Sequence, residues 1–342
     1  MTRILGEVAA VRVLKALVVI VVLVVVAVGF FVYVPFGPRS ETFVDILPGT
    51  GTLGIARQLQ KTGIVRSALA FDALVIWKTV GGHGGGSLKA GEYRFAHPAR
   101  MEEVYDRLRA GDVYTVTLVI PEGYNIFDIA SAVAEAKLDS REDFLNAERK
   151  NTELIAEWVP KGGATSLEGY LFPDTYKFSR HATPILMLTT MVREFGQEAR
   201  RLGMAPGQVS RTVTMASLVE KEVHIDRERP EVVSVFENRL AANMPLQTDP
   251  AVIYASLLRG TWTGVIHQSE LKSESAYNTY THTGLPPGPI CNPGVAALQA
   301  ALHPAKTEYL YFVADPNGTT KFATSLAEHD VNVAAYRTGM KP

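Results

Sequence analysis

The sequence predicts an α+β protein with an N-terminal transmembrane helix, a small α/β module and a larger domain of mixed helices and strands. Three observations predict this class. Residues 16–34 form an uncharged apolar run, strand–turn–helix patterns follow it, and helices dominate from about Arg141 until a late hairpin. Strands and helices that do not alternate strictly are typical of α+β folds, and 342 residues can hold two domains.

The apolar run is close to the minimum length that spans a bilayer. Arg3, Arg12 and Lys15 precede it, opposed by a single acid, so residues 1–15 are predicted to be cytoplasmic and the rest of the chain exported. A cleaved signal peptide is the alternative, but the run lacks the small residues that a cleavage site requires. The sequence therefore favours an uncleaved transmembrane anchor at residues 16–34.

A small α/β module is predicted at residues 41–97. Two short strands enclose two helices, Leu53–Thr62 and Ala68–Val80. The beginning of this module resembles a LysM module, a small fold that binds chains of N-acetylhexosamines. A spacer between domains, without affinity for sugar, is the alternative interpretation.

The larger domain is assigned to residues 98–342 and includes a second strand–turn–helix unit at residues 114–136. Apolar periodicity predicts three long helices in it, at Pro184–Leu202, Gln208–Val223 and Arg229–Ala242. A β-hairpin is predicted between Tyr309–Ala314 and Thr320–Thr324, across the turn Asp315–Gly318.

Composition excludes several classes of function. The formal net charge is −1, so nothing indicates a nucleic-acid partner. Cys291 is the only cysteine, which excludes an internal disulfide framework and a thiolate-rich zinc site. The scattered histidines form no His-Glu-x-x-His motif, and no Gly-x-Ser-x-Gly elbow occurs. The sequence therefore predicts no metal and no cofactor.

Two acids interrupt the apolar helix that contains residues 214–223. At helical spacing Glu220 shares a face with Ala216 and Ser217, which is predicted to point into the protein. A carboxyl group partly withdrawn from water retains its proton more readily, as a general acid requires. The alternative is a helix end whose acids simply reach solvent. Glu222 lies about 200° further round the helix, and we expect it to be structural, pairing with an arginine at 227 or 229.

Carboxylates, aromatic rings and amides remain as candidates for binding a substrate. Aromatic faces stack on sugar rings, and amides form hydrogen bonds with acetamido and hydroxyl groups. The candidate substrate-binding residues are Glu168, Tyr170, Asp174, Tyr176, Ser217, Gln247, Asp249, Tyr254, Tyr277, Asn278 and Tyr280.

An ordered set of short motifs extends over nearly the whole chain. They are Glu168–Asp174, Ala216–Glu222, Phe236–Leu240, Leu246–Pro250, Tyr277–Tyr280, Gly284–Gly288, His303–Ala305 and Tyr309–Val313. The set resembles the endolytic murein transglycosylase family, also called YceG-like.

The resemblance implies a lyase that cleaves the MurNAc–GlcNAc β-1,4 bond inside nascent peptidoglycan strands. Such an enzyme leaves 1,6-anhydro-MurNAc ends without consuming water. The family's catalytic acid is matched here to Glu220, which would protonate the leaving oxygen and then act as base toward the C6 hydroxyl. The implied partners are peptidoglycan strands, the bacterial inner (cell) membrane and wall synthases such as penicillin-binding proteins, with the catalytic domain outside the cytoplasm.

Two other functions remain open at this point. The first is a non-catalytic scaffold that binds peptidoglycan and recruits wall synthases. The second is an anchored hydrolase that releases reducing ends.

Overall fold

The computed structural model describes residues 2–80, 86–159, 163, 165–315 and 318–339. The chain separates into two compact units, Met1–Thr115 and Val116–Pro342. Residues 98–115, which the sequence analysis placed in the larger domain, belong to the first unit.

The first unit contains a long N-terminal helix and a small two-layer module. Its elements are α1 (Thr2–Tyr33), β1 (Thr42–Ile46), α2 (Thr52–Lys61), α3 (Ala68–Val80), β2 (Gly91–Phe95) and α4 (Met101–Ala110). β1 and β2 pair antiparallel, with Thr42 opposite Phe95. Alternation along β1 buries Val44 and Ile46, and helices α2, α3 and α4 contribute the rest of this apolar core.

The predicted membrane segment lies within α1. Residues Leu14–Tyr33 are long and apolar enough to cross a membrane, and none of that stretch is buried within the protein. Near the end of α1, Phe31 packs against the core of the module, whereas the large apolar side chains before it are exposed and need another apolar environment.

The second unit is mostly helical. Its elements are β3 (Val116–Val119), α5 (Ile126–Glu135), α6 (Arg141–Lys150), β4 (Thr175–Phe178), α7 (Pro184–Arg201), α8 (Pro206–Glu222), α9 (Arg229–Ala241), α10 (Asp249–Arg259), α11 (Gln268–Leu271), α12 (Val295–Leu302), β5 (Tyr311–Ala314), β6 (Thr320–Ala323) and α13 (Leu326–Gly339).

The sheets of the second unit are two antiparallel pairs, β3 with β4 and β5 with β6. The predicted late hairpin is confirmed, although residues 316 and 317 of its turn lie outside the described residues. Mixed helices and small antiparallel sheets agree with the predicted α+β class.

Helix α8 is the central helix of the second unit. Every residue from Thr212 to Glu220 is buried, and the helix packs against α9, α10 and α12. Val213 and Ala216 belong to one apolar core, whereas Leu218 and Val219 belong to another. Because neighbouring helices cover α8 on all sides, its two acids, Glu220 and Glu222, stand at its C-terminal end, at the edge of the core. There each acid has different neighbours.

Candidate active site

Glu220 lies in a buried ion pair. Its side chain is 6% exposed, and its Oε2 lies 3.0 Å from Nη1 of Arg229, which is 5% exposed. The same Oε2 accepts a hydrogen bond of 3.0 Å from the backbone N–H of Gly294, the residue before α12. We call this set of Glu220, Arg229 and Gly294 the Glu220 clamp, because it joins the ends of α8, α9 and α12.

The loop that carries Gly294 is itself held by buried polar groups. The Asn292 amide donates to Glu168 Oε1 at 3.0 Å and to the Tyr124 backbone carbonyl at 2.9 Å. The other oxygen of Glu168 accepts from the backbone N–H of Ile126. These hydrogen bonds hold the loop in place, and with it the backbone N–H of Gly294 that donates to Glu220.

Glu122 lies on the other side of Gly294. A Cβ added at Gly294 would meet the carboxylate at the end of the exposed Glu122 side chain, which would have to turn away. Partial burial, and then the negative charge of Glu220, raise the pKa of Glu122. The sequence analysis did not single out Glu122, because a Pro-Glu-Gly turn has no periodicity that indicates a site.

Glu222 projects into a separate polar cleft of about 310 Å³. We call it the Glu222 cleft. It is lined by Glu222, Arg239, Leu246, Gln247, Thr248, Asp249, Tyr280, Phe312 and His329. Burial raises the pKa of Glu222 to about 7, helped by the negative charge of Asp249 and opposed by the positive charge of Arg239. A carboxyl group with this pKa can give and accept a proton near neutral pH.

The walls of the Glu222 cleft are fixed by strong polar contacts. The Arg239 guanidinium donates to the backbone carbonyls of Leu310 at 2.7 Å and Leu246 at 2.9 Å. The Tyr280 hydroxyl donates to Asp249 Oδ1 at 2.6 Å, which holds the Asp249 carboxylate in place. The cleft is therefore preorganised rather than assembled from loose surface side chains.

Gln247 has a left-handed backbone conformation with φ 56°, which is uncommon for a residue with a side chain. Its N–H donates to the Thr279 carbonyl at 3.0 Å, and its exposed side chain lines the cleft. Such strain persists only where surrounding contacts enforce it, and it concentrates at binding and catalytic sites.

Of the two expected partners of Glu222, Arg227 and Arg229, the second is wrong, because Arg229 pairs with Glu220 and with Asp226. The arginine whose charge acts on Glu222 is Arg239, on α9. The rotation between residues 220 and 222 on α8 directs the two carboxylates to arginines ten residues apart on the same helix, Arg229 at the start of α9 and Arg239 near its end.

The structure brings together three of the predicted substrate-binding residues, Gln247, Asp249 and Tyr280, in the Glu222 cleft. Six others are buried and stabilise the framework instead: Glu168, Tyr170, Tyr176, Ser217, Tyr254 and Asn278. Their burial and their internal contacts suit a supporting role, and direct contact with substrate stays a prediction for these six. Asp174 is exposed next to β4, away from the residues that line the cleft.

Ser217 and Asn278 illustrate this supporting role. The Ser217 hydroxyl donates to the Thr214 carbonyl and accepts from the N–H of Ile290. The Asn278 amide donates to the carbonyls of Leu271 and Ser273. Both side chains satisfy buried backbone groups, which would otherwise destabilise the fold.

A second cavity, of about 190 Å³, is lined in part by Glu168, Tyr170 and Tyr277. Burial raises the pKa of Glu168 to about 8, and its hydrogen bond with Tyr254 opposes that increase. Glu168 is 2% exposed. It therefore holds the framework together and is poorly placed to reach a polymer.

Sequence reasoning missed Arg239, Phe312 and His329 as members of the cleft. Arg239 carried one available signal, since it stands on an otherwise apolar face of a predicted helix. His329 lies on α13, far along the chain, and nothing in its local sequence indicates a site. No group of three or more His, Cys, Asp or Glu side chains suited to a metal occurs within the described residues.

Carboxylates, an arginine, an amide and a phenol surround one open cleft, a set of groups that suits a polar, hydroxyl-rich ligand. The chain belongs to the YceG-like family, whose model matches residues 44–335. The resemblance found in the sequence motifs is thereby confirmed.

Known relatives support the same assignment. An endolytic murein transglycosylase of Bacillus subtilis is 35% identical over 316 residues, covering 86% of this chain and 85% of the relative. One from Streptococcus pneumoniae is 30% identical, covering 88% of this chain and 60% of the relative. A crystal structure of a putative YceG-like protein from Listeria monocytogenes is 30% identical with a TM-score of 0.54, covering 86% of this chain and 99% of that one.

Proposed function

We propose that this protein is a membrane-anchored endolytic lytic transglycosylase that cleaves the MurNAc–GlcNAc β-1,4 bond within nascent peptidoglycan strands. Family membership supports the lyase activity. The observation that carries the mechanism is the position of the Glu222 carboxyl group in an open polar cleft beside Gln247, Asp249 and Tyr280, where partial burial raises its pKa. We assign to it the roles of general acid and then general base.

One carboxyl group is enough for this chemistry. Protonated Glu222 gives its proton to the glycosidic oxygen as the bond from that oxygen to C1 of MurNAc breaks. The resulting carboxylate then takes the proton of the C6 hydroxyl while O6 bonds to C1, which closes the 1,6-anhydro ring. Glu222 ends the cycle protonated and no water is consumed. A pKa close to the working pH suits both transfers.

Neighbouring groups support Glu222 in these roles. The carboxylate of Asp249, held by Tyr280, helps to keep Glu222 protonated before the first step. The exposed amide of Gln247 accepts from Arg239 through its Oε1 at 3.4 Å, and its NH₂ group can donate to an acetamido or hydroxyl group of the glycan. Arg239 is occupied by backbone carbonyls and acts chiefly as a fixed positive charge.

Glu220, the acid assigned from the sequence, is the competing candidate. Its carboxylate is engaged by Arg229 and by the N–H of Gly294. It lines neither the Glu222 cleft nor the neighbouring cavity around Glu122 and Lys221 in the described part of the chain. A proton donor must reach the glycosidic oxygen, and this geometry favours Glu222.

The two assignments are separated by comparing Glu222→Gln with Glu220→Gln. Each purified variant is incubated with glycan strands, and anhydro ends are measured by mass spectrometry. We expect Glu222→Gln to lower the rate by about 10²–10⁴-fold, the usual contribution of a general acid–base. Glu220→Gln, with the cleft acid intact, should lose less. A folded Glu222→Gln variant with parental activity would return the assignment to Glu220.

The same products decide between the wider alternatives. A hydrolase would release ends heavier by one water, and a scaffold would yield no new ends from the parent protein.

We also propose a cellular location and partners for this protein. Residues 16–34 anchor the chain in the bacterial cell (inner) membrane, residues 1–15 face the cytoplasm, and residues 98–342 act outside it. The exposed apolar stretch of α1 supports this arrangement. The module at residues 41–97 is LysM-like and binds glycan, and wall synthases are the partners. Labelling of cysteines introduced at each end of α1 in intact cells tests the orientation.

A further inference from the structure

Helix α3 is apolar on both of its faces. One face, which includes Phe71, Leu74 and Val75, is buried in the core of the first unit. The other face consists of Leu69, Ala73, Ile76, Trp77 and Val80, which we call the α3 apolar face. Leu69 is 75% exposed, Trp77 55% and Val80 82%. A helix that is apolar all round is normally covered on all sides. We therefore expect another apolar surface to cover the α3 apolar face.

The charged side chains of α3 avoid this face. Lys78 pairs with Glu102 of α4. Asp72 is only partly exposed and lies at the edge of the face. The five side chains of the α3 apolar face are therefore uncharged, and the Lys78–Glu102 ion pair borders the face, with Lys78 Nζ 5.6 Å from the centroid of the Trp77 ring.

The α3 apolar face lies beside the C-terminal end of α1, the candidate membrane helix. A groove of about 430 Å³ separates α3 from the last turns of α1. It is lined by Val28, Phe31, Val32 and Tyr33 of α1, by Ala70, Ala73, Leu74 and Trp77 of α3, and by Glu102. The α3 apolar face thus lies at the level of the last turns of the apolar stretch.

Arg66 fixes this arrangement. Its guanidinium donates to the carbonyls of Val34 at 3.0 Å and Pro35 at 3.3 Å, which satisfies acceptors left open at the end of α1. The same group stacks over the rings of Phe30 and Phe36, with its carbon 4.4 Å and 4.9 Å from their centroids. Insertion of α1 into a bilayer would therefore carry α3 to the membrane surface.

We propose that the α3 apolar face is immersed in the outer leaflet of the membrane and that lipid acyl chains fill the groove between α1 and α3. This inference rests on the anchor in the proposed function. Lipid is the occupant because the face is continuous with a stretch that itself requires lipid. Trp77 and Tyr33 flank the groove, and such side chains favour the membrane–water interface. The first unit would then have a fixed orientation on the bilayer.

The test uses the full chain with a fluorescent probe on a single introduced cysteine. Val80→Cys is the reporter, and Arg57→Cys on an exposed, charged position of α2 is the matched control. The native Cys291 is completely buried and does not compete for the label. Vesicles of phosphatidylethanolamine and phosphatidylglycerol carry a nitroxide quencher near the headgroup end of the acyl chains.

An interfacial helix lies about 5–10 Å into the headgroup and acyl boundary, so we expect the quencher to remove roughly half or more of the emission at position 80. Emission at position 57 should be little affected. Ile76→Cys, on the same face, should behave like Val80→Cys.

Extraction of the same vesicles with alkaline carbonate separates the two proposals. If the chain resists extraction but neither face probe is quenched, the immersion of α3 is overturned and the anchor stands. If carbonate releases the chain, both fail. Equal quenching at position 57 would also overturn a face-specific contact. Disulfide-linked dimers through position 80, without quenching, would identify a second copy as the occupant instead.

Discussion

Glu220 and Glu222 stand two residues apart on α8, yet they occupy opposite kinds of site. In the Glu220 clamp, Oε2 of the carboxylate meets a buried arginine and a backbone N–H. The Glu222 cleft is open, and its carboxylate faces a second acid and a fixed arginine. The comparison teaches that burial alone does not identify a catalytic carboxyl group. Its neighbours and its access to substrate decide whether it is structural or reactive.

The largest expected effect comes from breaking the Glu220 clamp. Arg229→Met leaves a buried carboxylate without its cation, which usually costs about 3–5 kcal/mol of unfolding free energy. Urea unfolding followed by circular dichroism measures the loss. Arg211→Met, which removes an exposed pair with Glu237, is the control and should cost about 1 kcal/mol or less. Equal losses in the two variants would mean that the clamp is not structural.

Removing the charge of Glu222 should stabilise the folded protein, whereas breaking the Glu220 clamp should destabilise it. Because the Glu222 pKa is about 7 in the folded chain and near 4.3 in an unfolded one, folding binds a proton between these values. The folded state therefore loses stability as pH rises through this window. Glu222→Gln removes the loss, so we expect it to stabilise the protein by about 1–3 kcal/mol at pH 8.

Thermal unfolding of parent and Glu222→Gln across the pH range checks this expectation. Below pH 4 the two should converge, since the carboxyl group is then protonated in both states. A constant difference at every pH would contradict a raised pKa at Glu222.

A third prediction concerns the glycine that borders the clamp. Gly294→Ala places a Cβ against the carboxylate of the exposed Glu122 side chain, which can turn away, so we expect a loss of about 1 kcal/mol or less. Gly207→Ala, where a Cβ meets nothing, is the control near the start of α8. If Gly294→Ala combined with Glu122→Ala is no more stable than Gly294→Ala alone, the contact with Glu122 is not the cause.

The smallest expected effect tests how the charge of Asp249 changes the pKa of Glu222. Asp249→Asn removes a negative charge that raises the Glu222 pKa. The pH–rate profile for anhydro products should therefore shift to lower pH, by about one unit or less. Tyr280→Phe keeps the charge of Asp249 while removing its hydrogen bond, and should shift the profile less. A shift to higher pH in Asp249→Asn would contradict the proposed role of Asp249.

Local patterns in the sequence predicted much of the fold. The apolar run, the long helices of the second unit and the late hairpin all have strong periodicity, so their positions agree with the structure within a few residues. The motif order also identified the family correctly. The extent of the first unit was harder to predict, because α4 joins it through packing that no local pattern shows.

The candidate site was predicted only in part. Gln247, Asp249 and Tyr280 meet in the cleft, whereas Ser217 and Asn278 support the backbone from within the core. A polar residue in a motif has the same sequence signal whether it binds a ligand or satisfies a buried carbonyl. Only its depth and its partners separate the two roles.

The sequence by itself determined that α8 ends with two acids on opposite sides, since helical geometry fixes the angle between residues 220 and 222. It also determined the apolar run at residues 16–34 and the family. Only the tertiary structure decided which acid meets Arg229 and which meets Arg239, and that an apolar face of α3 lies beside the end of α1. The physical reason is that the partner charges and the access to solvent come from chain segments far away in sequence, which meet only when the chain folds.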